Sequence, residues 1–269
     1  MVDIDAAIGY VVARGDTVDR ARLSWLRAGV SPAEDILEHV EMGQTGTGGW
    51  PAQWGGDVAS VDATCFRFAE LDDLGGLRRP AARRALNWLA NRQRLDGCWE
   101  EDTALADSAP SWARPGDPEA RFYLTANGAF WLAVGGSETG LYGGAEPAYA
   151  TELSRAAGFL RENLADDGSW PGFLVSGWLA AAVLHRTEWF YEAARIFVIL
   201  AERVPAMSAA DVAWLTAALR RVGVEPGDSL MAAAKQRLSE TQRPDGAWTS
   251  DDAPALDVHT TLAAIRAIR

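Results

Sequence analysis

Two short segments carry residue types that could move protons. One is Ser60-Val61-Asp62-Ala63-Thr64-Cys65, at the start of a pale helical stretch, and the other is Leu256-Asp257-Val258-His259-Thr260-Thr261, at the start of the last such stretch. A carboxyl in the first turn of a helix either caps the free amides or, where apolar surroundings keep it neutral, can hand on a proton. His259 divides in the same way, between a satisfied core or capping group and the partner of an acid. Around them, Glu100, Glu101 and Asp102 directly after Trp99, Asp57 before Asp62, and Asp211 read as solvated carboxylates. Arg114 and Arg121 could grip a diphosphate, yet they stand among many acids and no DDxxD-type cluster accompanies them.

The pale segments also supply aromatic faces: Phe66, Phe68, Tyr123, Phe130, Trp131, Phe173, Trp178 and Trp214, with Trp50 just before the first. Such rings suit an apolar ligand, and over a desolvated cation each is worth up to ~2 kcal/mol. Spacing alone leaves most of them equally suited to packing between helices.

Composition limits the rest. A chain of 269 residues, 48% hydrophobic, buries a full core. Its 37 Asp plus Glu against 25 Lys plus Arg give a formal charge of −12, which repels phosphate backbones, so nucleic acid is not an expected partner. Cys65 and Cys98, the two cysteines, are too few for a disulfide framework or a Cys-rich zinc site and suit a reducing compartment. No stretch approaches the ~18 apolar residues of a membrane span, and the acidic start, with Asp3 and Asp5, lacks a basic leader. A cytoplasmic location is expected. Peripheral membrane contact, a partner subunit or an oligomer all remain compatible with this composition.

What must position these residues is a repeat. Gln44-x-x-x-Gly48-x-Trp50, Gln93-x-x-x-Gly97-x-Trp99 and Gln242-x-x-x-Gly246-x-Trp248 share the pattern QxxxGxW, and Leu164-x-x-x-Gly168-x-Trp170 keeps it without the Gln. The tryptophans lie 49, 71 and 78 residues apart, which fits a unit of ~40–50 residues if one unit carries an insertion and one lacks the motif. The insertion is the acidic, Pro-containing stretch 100–119, a surface loop or a lid whose Trp112 would cover an apolar ligand. Periodicity predicts helices near 3–13, 17–28, 32–42, 60–71, 80–94, 120–134, 147–164, 173–186, 189–203, 208–222, 228–242 and 256–268. They pair into six hairpins, a charged outer helix followed by a pale inner one. Each unit exposes an apolar face that a neighbour must cover, so the hairpins are expected to close into one all-α (α/α)6 barrel over residues 1–269. Within it the motif is structural: Gly turns the chain, Trp fills the gap between units and Gln satisfies loop backbone.

The four motif copies, two in the fuller form Gln-Arg-x-Asp-Gly-x-Trp, resemble the squalene–hopene cyclase, class II terpene cyclase and protein prenyltransferase β-subunit superfamily across Ser31–Arg269. The resemblance implies the toroid fold, which serves several activities. Ser60–Cys65 resembles the cyclases' DxDDTA box, with Asp62 on the middle position that protonates an alkene or epoxide and Thr64 on the Thr; Ser60 and Ala63 replace the flanking acids. Leu256–Thr261 resembles the D-x-x-H-T segment of prenyltransferase β-subunits, but Asp62-Ala63-Thr64-Cys65 puts the thiol one residue late for their zinc set, so neither metal nor cofactor is expected. What the resemblance implies is an isomerase- or lyase-type terpene or meroterpene cyclase acting on a small isoprenoid. Asp62 and His259 would be catalytic, with Trp50, Phe66, Tyr123, Trp131, Phe173, Trp178 and Trp214 against the substrate. Family cyclases usually join two such barrels, and this chain has length for one. A non-catalytic isoprenoid-binding or partner barrel, or a metal-dependent prenyltransferase, are the alternatives.

Overall fold

Five of the helix starts are set by capping side chains. Asp3 accepts the Ala6 amide, Asp16 and Asp19 form a reciprocal capping box, Ser60 and Ser208 accept the amides three residues on, and Asp228 accepts that of Leu230. The computed structural model describes residues 2–53, 56–138 and 148–269. Within them lie twelve α-helices: α1 (Ile4–Arg14), α2 (Thr17–Ala28), α3 (Glu34–Glu41), α4 (Val61–Asp73), α5 (Pro80–Arg92), α6 (Pro118–Glu138), α7 (Ala150–Glu162), α8 (Leu174–Arg186), α9 (Phe190–Arg203), α10 (Ala209–Arg221), α11 (Ser229–Thr241) and α12 (Asp257–Ile268). The two strands among the described residues are two residues each, β1 (Trp50–Pro51) and β2 (Ala59–Ser60), paired antiparallel. No described helix is long and apolar enough to cross a membrane.

All twelve expected helices are present, every end but one within three residues of its expected place. The helix expected at 120–134 continues to Glu138 because Gly135 is a packing residue and not a stop: a Cβ there would lie 2.7 Å from Leu86 of α5. Residue 147, the expected start of another helix, lies outside the described residues.

The chain divides into two compact units, Leu37–Ile196 and Met1–Ile36 with Phe197–Arg269. In the first, α4, α6 and α8 pack in succession, with α5 and α7 against them. Burial follows the expected division of labour: α8 is buried continuously from Ser176 to Leu184, whereas α7 buries one stripe, Leu153, Ala156, Ala157 and Leu160. In the second unit α10 and α12 pack together, and α12 rests on α1 and α2, so the last hairpin adjoins the first.

Each motif loop seats its hairpin on the next outer helix. Gly48, Gly97, Gly168 and Gly246 all have φ between 87° and 110°, and a Cβ would strike Arg84 of α5, Arg155 of α7, Arg195 of α9 and Ala6 of α1 respectively. The Gln amide N–H bridges the same joint. Gln44 donates to Gly48 O and Ala81 O, Gln93 to Gly97 O and Glu152 O, and Gln242 to Gly246 O and Asp3 O. In the copy that lacks Gln, Arg195 reaches back to the Ala165 and Asp166 carbonyls. Trp50, Trp99 and Trp248 are wholly buried, each worth roughly 4–6 kcal/mol of gross transfer free energy. Their indole N–H groups donate to Glu41, Leu89 and Leu238 carbonyls, and their backbone N–H groups donate to Thr64, Thr125 and Thr261 hydroxyls on the inner helices.

Both thiols are buried in the first unit. Burial pushes the Cys98 thiol up to about 11, opposed by the Arg121 guanidinium N–H donated to its Sγ at 3.1 Å and aided by Asp96. Burial and then the charges of Asp62 and Glu101 push Cys65 well up.

Two outcomes follow. Gly97→Ala, which meets Arg155 O at 2.4 Å from a positive φ, should lower stability by about 3–4 kcal/mol through strain plus overpacking. Gly116→Ala, equally positive in φ but facing open space, should cost about 1–2 kcal/mol; urea midpoints of the two variants check the difference. At pH 8 about one Cys98 in a thousand is thiolate, so iodoacetamide should label neither cysteine in the native protein within the time that labels both in urea, read by intact mass.

Candidate functional site

The site is built on the first turn of α4. Ser60 is the N-cap, its Oγ accepting the Ala63 amide, and this overturns the capping alternative for Asp62, whose side chain is directed elsewhere. Tyr123 of α6 donates its hydroxyl to Asp62 Oδ1 at 2.9 Å, and Trp112 donates its indole N–H to Oδ2 at 3.1 Å. Asn127, one turn beyond Tyr123 on α6, donates its amide N–H to the same phenol oxygen at 3.1 Å. Burial first, then the Asp62 charge, pushes the Tyr123 phenol far up, so it stays protonated as a donor at neutral pH. Phe173 lies against Tyr123 with ring centroids 4.9 Å apart.

Trp112 belongs to the expected insertion, which folds as two short 3-10 turns, Thr103–Leu105 and Ser111–Ala113, pinned by buried Leu105 and Ala113. The Trp112 ring is 49% exposed. Beside it opens a cleft of about 470 Å³ lined by Ser111, Trp112, Asp117, Glu119, Ala120 and Phe173. Of its two aromatic walls, Trp112 touches the Asp62 carboxyl directly and Phe173 is joined to it through Tyr123.

Glu101 corrects the sequence reading, which placed it in solvent. It is 5% exposed. Oε1 accepts the Ser60 hydroxyl at 2.7 Å and the Asp62 amide at 2.9 Å, and Oε2 accepts the Val61 amide at 2.9 Å. Burial pushes its carboxyl up, opposed by those three bonds and aided by the Asp62 charge. Asp102, in contrast, is a surface partner of Arg92, and Asp211, half-buried near Asp251 and Asp252, is pushed up by desolvation. Arg121 is committed to Asp96 at 2.7 Å and to Cys98, which leaves it poorly placed to hold a diphosphate.

Of the expected ligand-facing rings, Tyr123 and Phe173 meet at Asp62, and Phe66, one turn along α4 from Asp62, is 61% exposed. Trp131 is buried against Phe68 and Phe130, and Trp178 is buried in α8. Trp50 is consumed as a wedge, with no surface left for a ligand. Trp214 is exposed on α10 in the other unit. His259 also belongs to that unit, half exposed, its Nδ1 accepting from Arg22 at 3.0 Å with Asp19 3.8 Å away. Asp257 is held by Arg243 at 2.6 Å and by the Ser250 amide. Among the described residues no three His, Cys, Asp or Glu side chains gather as a metal site would need.

Asn127 escaped the sequence reading, although its place four residues after Tyr123 on a pale helix was the signal. Trp112 was weighed only as a cover, since nothing in the spacing ties it to Asp62.

No protein-family model matches the chain, and no curated protein matches it. Solved structures do. A protein from Actinoplanes superposes with TM-score 0.60 at 18% identity, covering 98% of this chain and 97% of that one. The type II terpene cyclase MstE from Scytonema superposes with TM-score 0.58 at 16% identity, covering 98% and 96%, and a variant of it in complex with merosterolic acid A (product) with TM-score 0.60, covering 98% and 94%. At such identities the likeness shows the fold, and the fold is the all-α, α/α-hairpin class of these terpene cyclase structures.

Proposed function

We propose that this chain is an acid-initiated cyclase of an isoprenoid substrate, with Asp62 as the proton source. The observation that carries the reading is the grip on one carboxyl by two aromatic donors, Tyr123 Oη–H and Trp112 Nε1–H, beside an aromatic-walled cleft. MstE, whose fold the whole chain shares, is a type II terpene cyclase, and a variant of it is known in complex with geranylgeranyl dihydroxybenzoate (substrate). That chain is spanned over 96% of its length, which supports one (α/α)6 domain as sufficient for such chemistry.

The step is balanced without a co-reactant. Asp62 breaks its O–H bond as a terminal C=C of the substrate, or an epoxide oxygen, takes the proton, and the carbocation formed is captured by the next C=C of the same chain. A final C–H loss returns a proton, so alkene substrates are isomerised. Tyr123 then donates to the carboxylate left behind, a fixed dipole aimed at the charge that develops. Trp112 has only a donor to offer, so the oxygen it covers cannot present a proton to substrate until the ring swings aside. Its half-exposed turn makes it the movable cover. Phe173, Phe66 and the Tyr123 ring face the cation, with Trp131 and Trp178 packed behind. His259 and Trp214 belong to the other unit and carry no part of this proposal.

Incubation with oligoprenyl alcohols, diphosphates and prenylated phenols, with and without EDTA, tests this. Metal-independent cyclised product is expected. Asp62→Asn should reduce turnover on the order of 10³-fold and Tyr123→Phe on the order of 10²-fold, both with wild-type thermal midpoints. Full turnover in Asp62→Asn moves the acid elsewhere. Binding without product from any substrate favours the non-catalytic barrel, for which the absent acids at Ser60 and Ala63 argue, and product lost to chelation favours a prenyltransferase.

A further inference from the structure

A helix start normally needs one local side chain to satisfy one of its free amides, and at α4 Ser60 already does this for Ala63. Yet a second carboxylate arrives from 40 residues away. Glu101 takes the next two amides, Val61 and Asp62, and the Ser60 hydroxyl as well. Every partner of that carboxylate is a donor, and all three belong to the turn that carries Asp62. Removing Glu101 from water without such partners would be costly, so its burial makes sense only with this geometry kept intact. The carboxylate therefore anchors the backbone of the very residue whose side chain must meet Tyr123 and Trp112.

We propose that Glu101 is the positioning residue of the site: it locks the first turn of α4 so that the Asp62 carboxyl stands between Tyr123 and Trp112, a task that capping by Ser60 alone does not perform. The inference rests on Asp62 being the acid for its catalytic consequence, but the positioning itself is separable from that reading. Glu101→Gln keeps the size and one acceptor while turning an N–H toward an amide donor. Asp at 101 keeps the charge but is one methylene too short to hold all three partners.

The test joins turnover to a resonance that does not need turnover. The Trp112 indole N–H signal, assigned by its loss in Trp112→Phe, reports the bond to Asp62 Oδ2. In Glu101→Gln it should move to the position of a water-exposed indole, while kcat falls about 10²-fold, the size expected of an ~1 Å displacement, and KM stays within about threefold. Glu101→Asp should recover part of both. A role confined to stability would lower the thermal midpoint and leave the indole signal and kcat in place. That result, in a folded Glu101→Gln, overturns the proposal. Should Glu101→Gln fail to fold, Ser60→Ala removes one of the three bonds and should show the same changes in smaller measure; an unmoved signal there overturns the proposal equally. If the signal moves but neither wild type nor variants turn over any isoprenoid, the positioning role stands and the cyclase reading falls.

Discussion

A glycine Cα that touches the neighbouring helix is the constraint on which this architecture turns. At each motif the loop comes so close to the next outer helix that a side chain would overlap backbone or Cβ atoms, and the positive φ that brings it there is one other residues resist. Once the loop is so seated, the Gln amide, the Trp wedge and the Trp-to-Thr bond all fall within reach. In the copy without Gln, Arg195 of the next outer helix ties that helix to the loop through two other carbonyls, those of Ala165 and Asp166. The tryptophan contributes the larger energy, but the glycine decides whether it can be buried.

The Trp-to-Thr bond also sets a register. Trp50, Trp99 and Trp248 donate to Thr64, Thr125 and Thr261, and each threonine donates in turn to the carbonyl four residues before it, at Ser60, Arg121 and Asp257. Two residues before each threonine stand Asp62, Tyr123 and His259. Thr64, read from the sequence as part of an acid box, is therefore a joint of the repeat, and the proposed acid stands two residues earlier. The separation from Trp to Thr is 14 and 13 residues in two copies and 26 in the third. The excess is the insertion, which carries both Trp112 and Glu101 to the first turn of α4. The loop that breaks the repeat is the loop that furnishes Asp62 with partners.

That explains what could be read in advance. Helix positions were legible because caps, turn glycines and charged-versus-pale alternation are local signals, and they failed where Gly135 served packing against a distant leucine. Asp62 and Tyr123 were legible as residue types on inner helices. Their meeting was not, since the 26-residue interval hid the equivalence of Thr125 with Thr64. Glu101 was misread because sequence shows an acid in an acidic loop, while its burial depends on three donors held 39–41 residues away.

The two non-phenolic holds on the acid's helix turn differ in strength, and the difference assigns them different work. Glu101 is buried and makes three bonds in which its own charge takes part, each worth about 1.5–3 kcal/mol. Trp112 makes one side-chain bond to Asp62 from a ring half in water, where solvent competes for both donor and acceptor. The turn of α4 is therefore the better held of the two, and the proposal of an acid beneath a movable cover needs that difference.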